Sequence, residues 1–125
     1  MLKNILEMIK KLYLNFLNSI NGLKIACKEH SFIIEIIGGI ILIPYLIYIE
    51  LNFLFKILVV ITYFALLAFE ILNTAIEILC DKITKEIDSD IKKIKDLASA
   101  SVFIVLIVLI ILIVLTFIPS LIDNL

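Results

Sequence analysis

Hydrophobic and polar positions divide this chain into four stretches. Between Leu2 and Leu23, apolar residues recur at helical spacing: Leu2, Ile5, Leu6, Ile9, Leu12, Tyr13, Phe16, Leu17, Ile20 and Leu23. Lys3, Asn4, Glu7, Lys10, Lys11, Asn15, Asn18 and Asn21 occupy the opposite face. This pattern predicts an amphipathic helix over residues 1–30, lying in a membrane interface rather than crossing it. The bland alternative is an ordinary packing helix. No short apolar core with a small-residue cleavage site follows, so a cleaved signal peptide is not expected.

Three longer apolar runs come next, at 32–49, 57–80 and 102–118. A helix needs about 20 apolar residues to cross the hydrocarbon core. Lipid forces that conformation, because each backbone group must be satisfied internally. The first run is broken by a single charge, Glu35, and contains Gly38, Gly39 and Pro44, which permit close packing or a kink. The third contains no charge, and Thr116 is its only polar residue. The expected architecture is a single all-α membrane domain over 1–125: an N-terminal surface helix, three transmembrane helices, and a cytoplasmic loop over 81–96.

Composition strengthens this reading. The chain is 63% hydrophobic and 18% charged, against about 45–50% and about 25% in a soluble domain. A chain of 125 residues cannot bury that excess internally. A net charge of −1 argues against electrostatic nucleic-acid binding. All 11 basic residues are lysine, which removes any bidentate arginine clamp. Lys3, Lys10, Lys11, Lys24 and Lys28 precede the first run, and Lys82, Lys85, Lys92, Lys93 and Lys95 separate the second from the third. Only Lys56 falls between the first two, and the tail has none. The positive-inside rule then places the N-terminus and the second connection in the cytoplasm, and the C-terminus outside. Cys27 and Cys80 form no CxxC, His30 is the only histidine, and neither GxxxxGK[ST] nor GxGxxG occurs. Zinc, disulfide, triad and P-loop chemistries lack their residues.

What remains is the polar content of the second run. Glu70, Asn73, Thr74, Glu77 and Asp81 are spaced to form one stripe on one helix face. Glu70 lies roughly 10 Å deeper than Glu77 at about 1.5 Å per residue. The shallow carboxylate suits a divalent cation, and the deep one, desolvated, suits a base. Glu29 and Lys95-Asp96 stand at the same level, and Glu29, Glu77 and Lys95 make a nucleotide-metal set. Glu86 and Asp88 are placed to contact base or ribose. Mg²⁺ favours one or two carboxylates with substrate phosphates, and lysine acts toward phosphate as a point charge. Three classes fit these residues: a transporter or channel subunit, a membrane enzyme, and a scaffold bundle glued by Asn73 and Thr74. A conduction path would need polar residues in both leaflets, and the outer halves here are aliphatic.

The segment Glu70-Ile71-Leu72-Asn73-Thr74-Ala75-Ile76-Glu77-Ile78-Leu79-Cys80-Asp81 resembles the signature of the prokaryotic diacylglycerol kinase family, roughly E-x-[aliphatic]-N-[ST]-[SA]-[aliphatic]-E-x-x-V-D, with Cys80 in place of valine. Lys95-Asp96 and Glu29 match the family's Lys-Asp pair and its acidic residue before the first span. The likeness extends over essentially the whole chain. Gly22 resembles the family's N-terminal glycine, although the stretch 14–21 before it lacks the usual basic residues. The resemblance implies an ATP-dependent lipid kinase of the inner membrane, making phosphatidic acid from diacylglycerol, with undecaprenol as the alternative acceptor. It implies Glu70 as catalytic base, and Glu29 and Glu77 as holders of the Mg²⁺ of MgATP. Asn73, Glu86, Asp88, Lys95 and Asp96 would serve ATP, and Ser99 would face the lipid. It further implies a homotrimer whose active sites use neighbouring protomers.

Overall fold

The computed structural model describes residues 1–118. It contains four helices: α1 (Leu2–Ala26), α2 (His30–Tyr48), α3 (Phe53–Ile83) and α4 (Ser89–Leu115). Three of these, α2, α3 and α4, are long and apolar enough to cross a membrane. The chain is a membrane protein. The tail beyond residue 118, expected outside from the lysine count, lies outside the described residues.

Local chemistry accounts for the helix boundaries. A turn at Cys27–Glu29 separates α1 from α2, with Glu29 extended at the N-cap. Asn52 caps α3, its side chain accepting from the Leu54 amide at 2.9 Å. Asp88 caps α4, its Oδ1 accepting from the amides of Asp90 and Ile91 at 2.8 and 3.0 Å. These bonds supply partners for amides that a helix start leaves open. Pro44 sits inside α2 near its end, where only one further turn follows.

The stretch 81–96, read from its charges as a loop, is largely helical. Residues 81–83 complete α3, 89–96 open α4, and only 84–88 are irregular. The Asp88 cap and the helically spaced pair Lys93–Asp90 at 2.8 Å carry α4 thirteen residues ahead of its apolar run, from 89 to 102.

Helix α3 is the centre of the fold. It packs along α4, less extensively on α2, and only near its end on α1. Val59, Tyr63, Leu66 and Leu67 of α3 meet Phe32, Leu42 and Leu46 of α2 and Leu109 of α4. The closest approach is at Gly39, where a Cβ would fall on the Tyr63 ring and hydroxyl. That hydroxyl donates to the Glu35 carbonyl at 3.2 Å. Far more apolar surface stays uncovered. The apolar face of α1 is exposed, and only 11% of the most hydrophobic window of α4 is buried. Such a surface needs lipid or further protein against it.

Candidate functional site

The stripe on α3 comprises a buried half and an exposed half. Glu70, Asn73 and Thr74 are 4%, 9% and 8% exposed, whereas Glu77 and Asp81 are open to the surroundings. The periodicity that makes the stripe also orders it. Residues three and four apart stack on one face, and along that face the stripe passes from buried to exposed between Thr74 and Glu77. The Asn73 amide donates to Glu77 Oε1 at 3.1 Å, linking the two halves. Asn73 Oδ1 itself is buried without a partner.

Across the α2–α3 contact, Glu35 lies within Coulombic reach of Glu70. One oxygen of Glu35 is likewise buried and unpartnered. An unmet buried polar atom costs about 1–3 kcal/mol. Two of them beside a buried carboxylate mark the region as built for something other than stability. Sequence reasoning noted Glu35 only as an interruption of the first span. The signal that would have singled it out was available: an ionisable residue within a span is a functional candidate by default.

At the exposed end, the Lys95 ammonium of α4 is hydrogen-bonded to Asp81 of α3. Glu77 is also within its Coulombic reach. Asp81, Lys85, Glu86, Asp88, Lys92 and Lys95 line an open polar cavity of about 220 Å³. Its mixed lysines and carboxylates suit a phosphorylated, hydroxyl-bearing ligand. Asp88 gains from its position here. The two backbone amides at the start of α4 hold its carboxyl below the usual aspartate range. Thr74 of the stripe also lines an apolar groove of about 160 Å³ between Gly22–Ala26 of α1 and Ile71–Ile78 of α3.

The expected residues therefore form two groups and several outliers. Asn73 and Glu77 are joined directly, with Glu70 one turn deeper. Glu86, Asp88 and Lys95 share the polar cavity. Asp96 turns instead to Lys92, 3.9 Å away on the exposed face of α4. Ser99 is exposed, and Glu29 stands at the head of α2. Among the described residues, none of these three makes a side-chain hydrogen bond to the stripe.

As for a metal, no group of three or more His, Cys, Asp or Glu side chains among the described residues is arranged to hold one. Mg²⁺ does not require such a cage, because it keeps waters and takes phosphate oxygens with one or two carboxylates. A carboxylate oxygen is the donor type it takes. Glu77 is exposed and has one oxygen free of Asn73, beside a cavity suited to phosphates.

A comparison with curated proteins found no match. Comparison with protein families gave a match that covers α2, α3, α4 and the last two fifths of α1. The model described as "Prokaryotic diacylglycerol kinase" matches residues 17–117. That range contains the complete stripe, Glu35, Glu29, the polar cavity and Lys95-Asp96, so the chain belongs to the prokaryotic diacylglycerol kinase family.

Proposed function

We propose that this chain, a lipid kinase by its family, transfers the γ-phosphate of MgATP to the hydroxyl of diacylglycerol to give phosphatidic acid. One observation carries the assignment of the chemistry to α3. A buried carboxylate, Glu70, and an exposed one, Glu77, share a helix face with Asn73 hydrogen-bonded between them. This is the arrangement a reaction between a lipid and a water-soluble donor requires.

Phosphoryl transfer passes through a loose transition state, so catalysis is chiefly positioning and charge neutralisation. Glu70 accepts the proton of the lipid hydroxyl as its oxygen bonds to the γ-phosphorus and the bond to the ADP oxygen breaks. A general base of this kind contributes about 10²- to 10⁴-fold. Lys95 neutralises charge on the transferring phosphate, and Asp96 supports the same region. Glu86 and Asp88 contact the nucleoside from the polar cavity. Glu29 and Glu77 would hold the metal, which when bound would offset negative charge on the phosphates. Asn73 keeps Glu77 oriented through its amide. Ser99 faces the lipid.

The membrane arrangement belongs to the same reading. The lysine-rich end, with Asp81 and Lys95, faces the cytoplasm of the bacterial inner membrane, where ATP is available. Helix α1 lies on that surface with its apolar face in lipid. Three such chains form a homotrimer with shared active sites. The exposed stripe residues and the extensive uncovered apolar surface support this.

The test is transfer of ³²P from [γ-³²P]ATP in mixed micelles with Mg²⁺, with diacylglycerol and undecaprenol offered separately. Label in diacylglycerol that disappears with Glu70→Gln is the expected result. Label in undecaprenol alone would reassign the acceptor. No label in either, from folded protein, would overturn the kinase assignment of these residues.

A further inference from the structure

Asp81 has no role in the mechanism above, yet it makes the one ion pair between helices among the described residues. The other two, Lys92–Asp96 and Lys93–Asp90, lie within α4. Asp81 is well exposed, its side chain 67% accessible. An exposed ion pair adds little to stability, so the bridge calls for another explanation.

Its neighbours supply one. Glu77 and Asp81 are four residues apart on α3, hence adjacent on one face. The Lys95 ammonium is within electrostatic reach of both carboxylates and is bonded to Asp81. Glu77 meanwhile accepts from Asn73 through Oε1 only. Lysine is a compact charge on a flexible stem and moves readily to the nearest anion. Beside Asp81, Glu77 is the other carboxylate whose charge acts on this ammonium.

We propose that Asp81 is a positioning residue which, by holding Lys95 in the α3–α4 bridge, keeps Glu77 open for the divalent cation that accompanies the nucleotide. The inference rests on the kinase reading and assigns Asp81 a part in it. Phosphate entering the cavity then draws Lys95 away from Asp81 rather than from the metal ligand.

The experiment is a Mn²⁺ titration followed by electron paramagnetic resonance, on the full chain in micelles with a non-transferable ATP analogue and no lipid acceptor. Wild type, Asp81→Asn and Asp81→Glu are compared. Asp81→Asn is expected to raise the Mn²⁺ concentration for half-saturation by about tenfold, the scale for losing an outer partner of a metal ligand. Asp81→Glu is expected to restore it to within about twofold, by keeping the charge that holds lysine. Equal half-saturation in all three proteins overturns the proposal, as does an Asp81→Glu variant as weak as Asp81→Asn.

Should Asp81→Asn not yield folded protein, the comparison moves to Lys95→Met with and without Asp81→Asn. With no ammonium to redirect, the two must bind Mn²⁺ alike, and a difference between them overturns the proposal. Failure of the kinase reading shows separately, as wild-type protein that neither binds Mn²⁺ with the analogue nor labels either lipid.

Discussion

The two ends of the α2–α3–α4 bundle are closed by different chemistry. At one end, Tyr45 and Thr116 share a hydrogen bond of 2.8 Å. The Thr116 hydroxyl donates to the Ile113 carbonyl at 2.6 Å, so Tyr45 is the donor between them. Thr116 is 1% exposed, and Tyr45 stacks on Phe117 with ring centres 5.9 Å apart. At the other end, the interhelical bond is an exposed ion pair, Lys95–Asp81, beside Glu77 and a polar cavity. Between that end and the apolar core lie the two buried atoms without partners, on Glu35 and Asn73. Neutral, satisfied and dry hydrogen bonds hold helices in place. Charged, exposed and unsatisfied groups await a ligand, and they do so at a cost in stability. The difference supports the proposed placement of the chemistry at the charged end.

Substitutions at the two ends should therefore fail differently, and the largest effect belongs to Glu70. Glu70→Gln removes the proposed base while preserving shape. Turnover should fall by about 10²- to 10⁴-fold with little change in the affinity for nucleotide. Glu77→Gln should instead weaken metal-nucleotide binding. Single-turnover transfer and analogue binding, measured on both variants, separate the two. Similar losses in both parameters for both variants would erase the distinction between a deep and a shallow carboxylate.

The next effect is on stability. Gly39→Ala places a methyl group where the Tyr63 hydroxyl and ring now lie. Either the Tyr63 ring or helix α2 must then move, and overpacking of this kind costs about 1–3 kcal/mol. A displaced Tyr63 hydroxyl would also lose its bond to the Glu35 carbonyl. Unfolding in mixed micelles by a denaturing detergent should show the loss. Gly38→Ala is the control, because a Cβ there meets nothing within 4 Å. Equal stability for the two variants would contradict the close approach.

How much of this was visible in the sequence depended on whether a feature is local. The apolar runs are local, so α2 and α3 begin within about four residues of their expected starts. The stripe is local too, because helix periodicity alone places Glu70, Asn73, Glu77 and Asp81 on one face. The helical start of α4 at Ser89 is legible in the sequence and replaces most of the expected loop. The charges of 89–96 suggested a loop, whereas Asp88 followed by Ile91 and Ile94 is an N-cap before helically spaced apolar residues. Contacts between helices were not legible. Nothing in the spacing of Glu35 relates it to Glu70, or Gly39 to Tyr63, or Asp81 to Lys95. Those pairings arise from the rotation and depth at which α2 and α4 pack on α3, which many side chains decide jointly.

At the static end, the expected effect is smaller. Tyr45→Phe removes the hydroxyl and leaves the ring on Phe117. Interhelical hydrogen bonds in membrane proteins average about 0.6 kcal/mol, with a maximum near 1.7. The variant should lose about that much stability, and its kinase turnover should match wild type. A tenfold fall in turnover would mean that the Tyr45–Thr116 end is coupled to the chemistry, and the contrast between the ends would collapse.

The smallest effect concerns Asp88 and its pH dependence. Its carboxyl is held below the ordinary range by the amides of Ile91 and Asp90. A group with a lowered folded value stabilises fully above the unfolded aspartate range and loses that contribution as pH falls through the folded value. The helix start at 89–91 should thus stay intact through neutral and mildly acidic pH, and fray only at pH below the ordinary aspartate range. Hydrogen exchange at the amides of Asp90 and Ile91 reads this directly. Asp88→Ala should show the frayed exchange at neutral pH, and Asp88→Asn, which still accepts a hydrogen bond, should be protected throughout and insensitive to acid. Acid sensitivity surviving in Asp88→Asn would assign the titration to another group in the cavity. Because the same side chain caps α4 and lines the polar cavity, added nucleotide should slow this exchange in wild type.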